Sequence, residues 1–479
     1  MSTAKKIIRN TGLMLTSEIA ANIMSLLVMI LIARYLGSEG FGKFSFIFAF
    51  VGITMTLASL GGENFVVIRE VARNKENAKI YFGNALTLKS CLLILTLICS
   101  IIIINLIEPS PEIRLSVYIV SLGMAFLFLS HLYWALLQAY ETMQFEALMK
   151  IIERILLLIL TLFIYIKKGS IIQLVSMFTI VYFISFIMAF LFATFKIEYI
   201  PFRLNINLIK KIIKKGVPFA FTSILIIFYF RIDTLMLSLI RTYSEVGWYN
   251  ASYKIMEGLS VLPMMVVLGI FPAMSRLYME NKEHLKLLYK RAFKYLAIIA
   301  LPIAIGITLL ANKIIYFIYK EGFSNSSLIL KILVWAEIFI FLNYLMGYLL
   351  NSINKQKWFM YSTGICVILN IILNLILIPK FGYLGAGAAT VATQFANFMI
   401  LFYLTSKENY KLNLPKLIYK PIIGISFMVI SIFLLRNLHI LIIIPLATLT
   451  YFLTLFLSKA IGQEEITIIK SFFQKNSNN

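Results

Sequence analysis

Long, continuous apolar runs, separated by short polar or charged breaks, make up almost the whole chain. Most of these runs approach the roughly 20 residues that an α-helix needs to cross a bilayer. A transmembrane β-barrel would instead show short segments of alternating hydrophobicity. We therefore predict an all-α integral membrane protein with about fourteen transmembrane helices. The predicted spans are 11–33, 44–62, 80–106, 113–138, 148–166, 171–195, 216–240, 247–275, 293–312, 326–350, 358–378, 383–405, 418–435 and 438–458.

Composition agrees with this pattern and excludes a water-soluble enzyme. Apolar residues make up 61% of the 479 positions, and the mean hydropathy is +0.90. Charged residues contribute only 14%, against about 25% in an ordinary soluble domain. A soluble protein of this length needs a polar surface, and this chain has too few polar residues to cover one.

The distribution of positive charge orients the predicted helices. The chain has 44 Lys and Arg against 21 Asp and Glu, for a net charge of +23. If the N-terminus is cytoplasmic, the inner segments hold about three times as many Lys and Arg as the outer loops, as the positive-inside rule requires. We therefore predict a multi-pass protein of the cell membrane with both termini in the cytoplasm. The charge then reflects membrane topology and anionic lipids rather than a nucleic-acid partner.

The spans fall into two groups of six, divided by a basic segment, and a further pair of spans ends the chain. Two dipeptides recur across the basic segment with the same spacing of 206 residues. Because six is an even number, both groups have the same orientation, and a symmetry axis between them would run along the membrane normal. The recurring pairs are Thr16-Ser17 with Thr222-Ser223 and Ser38-Glu39 with Ser244-Glu245; after one deletion, Gly42 aligns with Gly247.

This repeat predicts two pseudosymmetric six-helix lobes and two C-terminal helices. Transporters built from such repeats hold their cargo near the membrane midplane, between the halves. The predicted outer loops are too short to form a domain, so we expect the function to lie between the helices. The predicted segments are an N-terminal lobe at 1–195, a basic cytoplasmic linker at 196–215, a C-terminal lobe at 216–406, and a helix pair with a cytoplasmic tail at 407–479.

Residues that usually carry catalysis or bind metals are scarce. The three Cys lie in apolar runs, the three His are far apart, and neither a CxxC nor an HExxH motif occurs. Asp233 is the only Asp in the chain, which excludes reactions that require an Asp pair or a DxD metal–sugar site. We therefore expect no metal site and no enzymatic activity.

Several motifs occur at defined places relative to the spans. Asn10-Thr11 precedes the first span, RYLGSEGFG follows it at 34–42, and Gly61-Gly62 ends the second span before Arg69-Glu70. In the second half, RIDTLMLSLIRTYSEVGWYNASYKI occupies 231–255 and GYLGAGAATVAT occupies 382–393. These features resemble the polysaccharide (O-antigen type) flippases of the multidrug/oligosaccharidyl-lipid/polysaccharide exporter superfamily, over nearly the whole chain.

The resemblance implies a flippase without an enzymatic reaction. Its cargo would be a polyprenyl-diphosphate-linked oligosaccharide, moved from the inner to the outer leaflet for surface polysaccharide or glycan assembly. The mechanism would be alternating access coupled to a cation, H⁺ or Na⁺, with no other cofactor. Membrane lipids and polysaccharide assembly proteins are the expected partners, and a monomer would suffice. Two alternatives stay open: a multidrug/cation antiporter of the same superfamily, and a membrane polysaccharide polymerase or transferase.

Basic residues within the spans are candidates for binding a diphosphate. A charge at the bilayer centre costs at least about 2.5–3.5 kcal/mol unless it faces a partner or a wet cavity. Arginine gives bidentate phosphate contacts and lysine a point charge. We predict that Arg231, Lys254 and Lys89 line the central cavity, with Arg34 and Arg69 nearer its mouths. Alternatively, Lys254 is neutralised by Glu257 three residues later, and Lys89 extends to the membrane surface.

Three carboxylates are candidates for carrying a coupling ion. A carboxylate in a partly dry cavity can load and release a proton. We assign this role to Asp233, Glu257 and Glu18. The alternative is a fixed ion pair with Arg231 or Lys254. Because Arg231 and Asp233 are two residues apart on one predicted helix, they do not share a face, and each needs another partner.

Overall fold

The computed structural model describes residues 3–197 and 199–458; side chains are described except at 3–16, 18, 19, 218, 222, 416 and 418. The predicted coupling residue Glu18 therefore lies outside the described side chains. Within these ranges every regular element is helical, as predicted. The helices are α1 (Thr3–Thr54), α2 (Glu63–Arg73), α3 (Ala78–Ile107), α4 (Pro111–Ala139), α5 (Met143–Lys167), α6 (Ile171–Lys196), α7 (Ile206–Ile240), α8 (Tyr243–Leu259), α9 (Val261–Glu280), α10 (Lys282–Tyr319), α11 (Ser326–Ser352), α12 (Gln356–Lys407), α13 (Leu414–Leu434) and α14 (Ile440–Leu457).

The fourteen described helices do not match the fourteen predicted spans one to one. Helix α1 contains the first predicted span and the first half of the second, which are separated by a kink at Gly37 with φ +66°. Helix α12 contains the eleventh and twelfth, which meet at Gly382 with φ +57°. Glycine is needed at both kinks because other residues rarely adopt positive φ. Conversely, the eighth predicted span is divided at Ser260 into α8 and α9, and α2 is a short helix between spans.

Ten helical segments of the described chain are long and apolar enough to cross a membrane. The number is below fourteen partly because the first two predicted spans fall in one segment, Ala20–Ser59, and the eleventh and twelfth fall in another, Gln356–Lys407. Helix α5 is not among the ten, although the run 148–166 predicts a span there. Its first half carries Lys150, Glu153 and Arg154, so its fully apolar part is short. The finding supports a multi-pass membrane protein.

The described chain forms two compact units. One contains the described residues up to Gly258 together with Val367–Ala386, and the other contains Leu259–Cys366 together with the described residues from Gly387 to Ser458. These units reflect packing in one conformation, whereas the predicted lobes rest on a sequence repeat, so the lobe boundaries stay a prediction.

Each unit has its own apolar core. In the first, buried side chains of α2, α3, α4 and the start of α7 meet, among them Val67, Phe82 and Ile212. In the second, buried side chains of α10 and α11 pack together, among them Phe293 and Leu345. In the second unit the Tyr451 hydroxyl of α14 also donates a 2.8 Å hydrogen bond to the carbonyl of Ile298.

Two glycines that the repeat aligns make a reciprocal contact within the first unit. A Cβ atom on Gly42 would lie 1.7 Å from the carbonyl oxygen of Tyr243, and one on Gly247 would lie 1.9 Å from that of Ser38. Tyr243 lies four positions before Gly247, and Ser38 lies four positions before Gly42. Each glycine therefore packs against the residue four positions before the other glycine, as a two-fold relation requires. Only glycine permits such a close backbone approach.

Candidate functional site

A cluster of three charged side chains lies on α7 and α8. The ammonium of Lys254 contacts Oε2 of Glu257, and the guanidinium of Arg231 lies 3.6 Å from Oε1 of the same carboxylate. Lys254 and Glu257 are one helical turn apart, so the predicted pairing on one helix face occurs. Because one carboxylate faces two cations, the cluster keeps one excess positive charge. We call these three residues the cationic cluster.

The cationic cluster borders a small cavity with a polar wall. The cavity has a volume of about 60 Å³, enough for a few water molecules. Water there would reduce the cost of holding charges within the spans. The partial exposure of the side chains is consistent with contact to water, because Lys254 is 16% and Glu257 31% accessible. The lining residues are Asn22, Ser25, Leu26 and Met29 of α1 and Lys254, Glu257 and Gly258 of α8.

Sequence reasoning missed a further cation near this cluster. Arg154 of α5 interacts electrostatically with Lys254 and lies 3.7 Å from its neighbour Glu153. Arg154 lies within the fifth predicted span, 148–166, but was not singled out among the charges there. The charged pair within the apolar run 148–166 was the available signal.

Lys89 occupies a different environment from Lys254. Its ammonium donates to Oε1 of Glu63 at 2.6 Å and to the carbonyl of Ala58 at 3.0 Å, and it lies 4.9 Å from the ring centroid of Phe128. Both charged side chains are only 1% accessible. Lys89 therefore reaches neither the cavity beside Lys254 nor the protein surface in this conformation. Sequence reasoning missed Glu63, its partner at the start of α2.

Asp233 lies in a buried network of neutral polar groups. Its Oδ2 accepts a 2.8 Å hydrogen bond from the hydroxyl of Tyr249, and its Oδ1 accepts one of 2.5 Å from the amide of Asn374. The same amide lies 3.0 Å from Oδ1 of Asn370. Helices α7, α8 and α12 thus converge on one carboxylate. The Asn and Tyr residues were not identified from the sequence, although Asn370 and Asn374 stand out within an apolar run.

The remaining predicted cations lie elsewhere. Arg34 is exposed on α1, three residues before the kink at Gly37. Arg69 of α2 donates to the carboxylate of Glu70 at 3.1 Å, and that carboxylate also binds Lys215 of α7. The structure therefore brings Arg231 and Lys254 together, and it places Lys89 and Arg69 in two separate clusters.

Among the described residues of the second unit, one buried carboxylate has no cation in contact with it. Glu337 of α11 is fully buried, and its Oε1 accepts a 3.0 Å hydrogen bond from the hydroxyl of Ser260. Its Oε2 has no hydrogen-bond partner among the described residues. Across the part of the chain that the structure describes, no group of three His, Cys, Asp or Glu side chains could hold a metal ion.

Two family models match the chain. The model described as polysaccharide biosynthesis protein matches residues 7–278, which is more than half of the chain. The model described as MatE matches residues 218–376.

Among curated proteins, the chain is 26% identical over 186 residues to a probable low-salt glycan biosynthesis flippase, Agl15, of Haloferax volcanii. That alignment covers 38% of this chain and 39% of the relative, so it spans well under half of either protein.

Solved structures with the same fold are transporters. The lipid II flippase MurJ in an inward closed conformation superposes with a TM-score of 0.78 at 19% identity, covering 94% of this chain and 99% of that one. An inward-facing multidrug resistance MATE family transporter of the MOP superfamily gives a TM-score of 0.66 at 17% identity, with 81% and 94% covered. At these identities the likeness shows the fold.

Proposed function

Because this chain belongs to the polysaccharide biosynthesis protein family, we propose that it is a flippase for a polyprenyl-diphosphate-linked oligosaccharide. It would carry this lipid from the inner to the outer leaflet of the cell membrane for surface polysaccharide or glycan assembly. The observation that carries the proposal is the cationic cluster, Arg231, Lys254 and Glu257, beside a cavity within apolar helices.

The chemistry of the cargo explains why such a cluster is needed. A diphosphate is strongly anionic and cannot cross hydrocarbon without compensation of its charge. Arginine and lysine bind phosphate oxygens through short, charge-assisted hydrogen bonds. Glu257 contacts both cations, which lowers the cost of their charge within the helices. The cargo phosphate would take the place of this carboxylate on one or both cations.

The transport cycle would be alternating access without a chemical reaction. The predicted lobes at 1–195 and 216–406 would move around the cargo, and both termini would stay in the cytoplasm. A monomer would contain the complete path. The reciprocal contact of Gly42 and Gly247 joins equivalent parts of the two repeats and would separate when the path opens on their side.

Asp233 is our candidate for coupling transport to a cation. Hard cations such as Na⁺ bind carboxylate and carbonyl oxygens, and the side chains of Asp233, Asn370 and Asn374 supply such oxygens in one buried place. A proton on the same carboxylate is the second form of coupling. Glu257 would contribute indirectly, because it exchanges partners when the cargo binds.

A multidrug/cation antiporter is the second candidate function. The MatE match over residues 218–376 and the likeness to a MATE family transporter favour it. The excess positive charge of the cationic cluster argues against it, because a cationic drug would be repelled there. A polymerase or transferase would require catalytic groups on an extramembrane loop, and the predicted loops are short.

Deleting the gene in the native host tests the proposal. We expect lipid-diphosphate-oligosaccharide to accumulate in the inner leaflet, and the wild-type gene to reverse this. Arg231→Ala should not restore transport, whereas the matched surface variant Lys286→Ala should, because Lys286 forms an ion pair with Glu283 on an exposed helix face. Unchanged lipid-linked sugar together with new sensitivity to cationic drugs would support the antiporter instead.

A further inference from the structure

Helix α2 and the start of α7 form a surface patch that combines cations with exposed aromatic rings. We call it the α2–α7 patch and define it by Phe65, Arg69, Lys215 and Phe219, with Glu70 between the two cations. All five residues belong to the first compact unit.

The apolar half of the patch is an exposed pair of rings. Phe65 and Phe219 stack with their centroids 5.1 Å apart and an angle of 20° between the ring planes. Despite this contact, Phe65 is 48% and Phe219 43% accessible. Two adjacent, half-exposed rings form an apolar surface that another hydrocarbon group can cover.

The cationic half lies one helical turn from each ring. Arg69 follows Phe65 by four residues on α2, and Lys215 precedes Phe219 by four residues on α7, so each cation lies on the same helix face as its ring. Both cations contact the same oxygen, Oε1 of Glu70, at 3.1 and 3.0 Å. Because one carboxylate serves two cations, the patch keeps an excess positive charge, and Arg69 is 38% and Lys215 31% accessible.

A close backbone contact holds the two helices together at this place. A Cβ atom on Gly62 would lie 2.2 Å from the carbonyl oxygen of Gly216, and one on Gly216 would lie 1.8 Å from that of Gly61. These distances leave no room for any side chain. The aromatic and cationic halves are therefore held side by side by the backbone.

We propose that the α2–α7 patch binds an anionic polyprenyl diphosphate, with the diphosphate on Arg69 and Lys215 and the first isoprene units on Phe65 and Phe219. This rests on the proposed flippase function and adds a docking site outside the cationic cluster. In the predicted topology the patch lies at the inner membrane surface, where the cargo is loaded.

Glu70 competes with the ligand in this arrangement. Burial alone raises the pKa of Glu70, but hydrogen bonds and charge from Lys215 and Arg69 outweigh it and hold the pKa below the usual value of 4.5. Glu70 is therefore ionised at neutral pH and occupies the cations. Glu70→Gln removes this charge without changing the shape of the side chain, so it should strengthen binding rather than weaken it.

Binding of undecaprenyl diphosphate to the purified full-length protein in phosphatidylcholine nanodiscs tests the proposal. We expect Arg69→Gln with Lys215→Gln to weaken binding at least tenfold and Glu70→Gln to strengthen it several-fold. The double variant Phe65→Leu with Phe219→Ala should weaken the binding of undecaprenyl diphosphate but leave the binding of inorganic diphosphate unchanged. Arg276→Gln is the matched control, because Arg276 forms an exposed pair with Glu280. Thermal unfolding verifies that each variant is folded.

Three further comparisons distinguish the possible failures. If phosphatidylglycerol binds as tightly as undecaprenyl diphosphate and responds to the same variants, the patch is a general lipid site and the proposal is wrong. If Arg231→Ala with Lys254→Ala weakens the binding of undecaprenyl diphosphate while the patch variants do not, the flippase proposal stands and the proposed docking site on the α2–α7 patch is refuted. If undecaprenyl diphosphate binds no better than undecaprenol in any variant, the flippase proposal itself fails.

Discussion

Two Lys–Glu pairs within the apolar helices differ in almost everything except composition. Lys89 and Glu63 are both 1% accessible and bond to each other at 2.6 Å. Lys254 and Glu257 are 16% and 31% accessible, share their carboxylate with Arg231, and border a cavity. The first pair is electrically balanced and dry, whereas the second carries excess charge and can contact water.

These surroundings assign different roles to the two pairs. A buried, balanced ion pair gains little net stability, but removing one partner leaves an uncompensated charge and is strongly destabilising. Such a pair specifies how helices pack. A cluster with excess charge beside a cavity is poorly stabilised by the protein alone and is suited to bind an anion. We therefore expect Lys89 to act on folding and the cationic cluster to act on transport.

The largest effect should come from Lys89→Met. It leaves the Glu63 carboxylate buried without a cation, and we expect the free energy of unfolding to fall by about 3–5 kcal/mol. Chemical unfolding of the detergent-purified protein measures this. The double variant Lys89→Met with Glu63→Leu should recover most of the loss, because both charges are then gone. A loss no larger than that of Lys254→Met would contradict the distinction between the pairs.

The next effect concerns transport. Arg231→Ala with Lys254→Ala should lower the flipping rate of a fluorescent polyprenyl diphosphate in liposomes at least tenfold, equivalent to about 1.4 kcal/mol. The free energy of unfolding of this double variant should change much less than that of Lys89→Met. The folded double variant Lys89→Met with Glu63→Leu is the control and should retain transport. Equal transport losses in both double variants would show that the two pairs do not have separate roles.

Asp233 lies between the two cases, because it is buried like Lys89 yet its described partners are a phenol and an amide. Asp233→Asn keeps the shape of the side chain and removes its charge. We expect the flipping rate to lose its dependence on an imposed Na⁺ or H⁺ gradient, while the uncoupled rate persists. Asn374→Ala, which removes one donor to the same carboxylate, should weaken the gradient dependence partially. An unchanged gradient dependence in Asp233→Asn would exclude Asp233 as the coupling residue.

The smallest effect is expected for the partly exposed contact of Lys215 with Glu70. Because the folded-state pKa of Glu70 is lowered, the stabilisation is present above the unfolded value of 4.5 and is lost as the pH falls through the folded value. The contribution of this contact to the free energy of unfolding should be below about 1 kcal/mol, as for other surface ion pairs. Unfolding of wild type and Glu70→Gln between neutral and acidic pH measures it. A difference that grows toward low pH would contradict this sign.

The sequence by itself determined the class, the multi-pass membrane character and the family. Length and continuity of apolar runs report directly on the bilayer, because any helix that crosses it must be apolar over about 20 residues. The predicted internal repeat includes Gly42 and Gly247, and glycine is required at both positions because their close backbone contact tolerates no other residue. Arg231, Lys254 and Asp233 were identifiable because charges within spans are expensive and therefore rare.

Only the tertiary structure decided how each charge is used. Glu63 lies 26 residues from Lys89, and Asn374 lies 141 residues from Asp233, so neither partnership follows from a helical period. The kinks at Gly37 and Gly382, the break at Ser260 and the pairing of α2 with α7 were likewise not apparent from hydropathy. Hydropathy records the cost of burying a side chain. The water and the partners that a charged side chain contacts depend instead on which helices pack together, and contacts between residues far apart in sequence determine that packing.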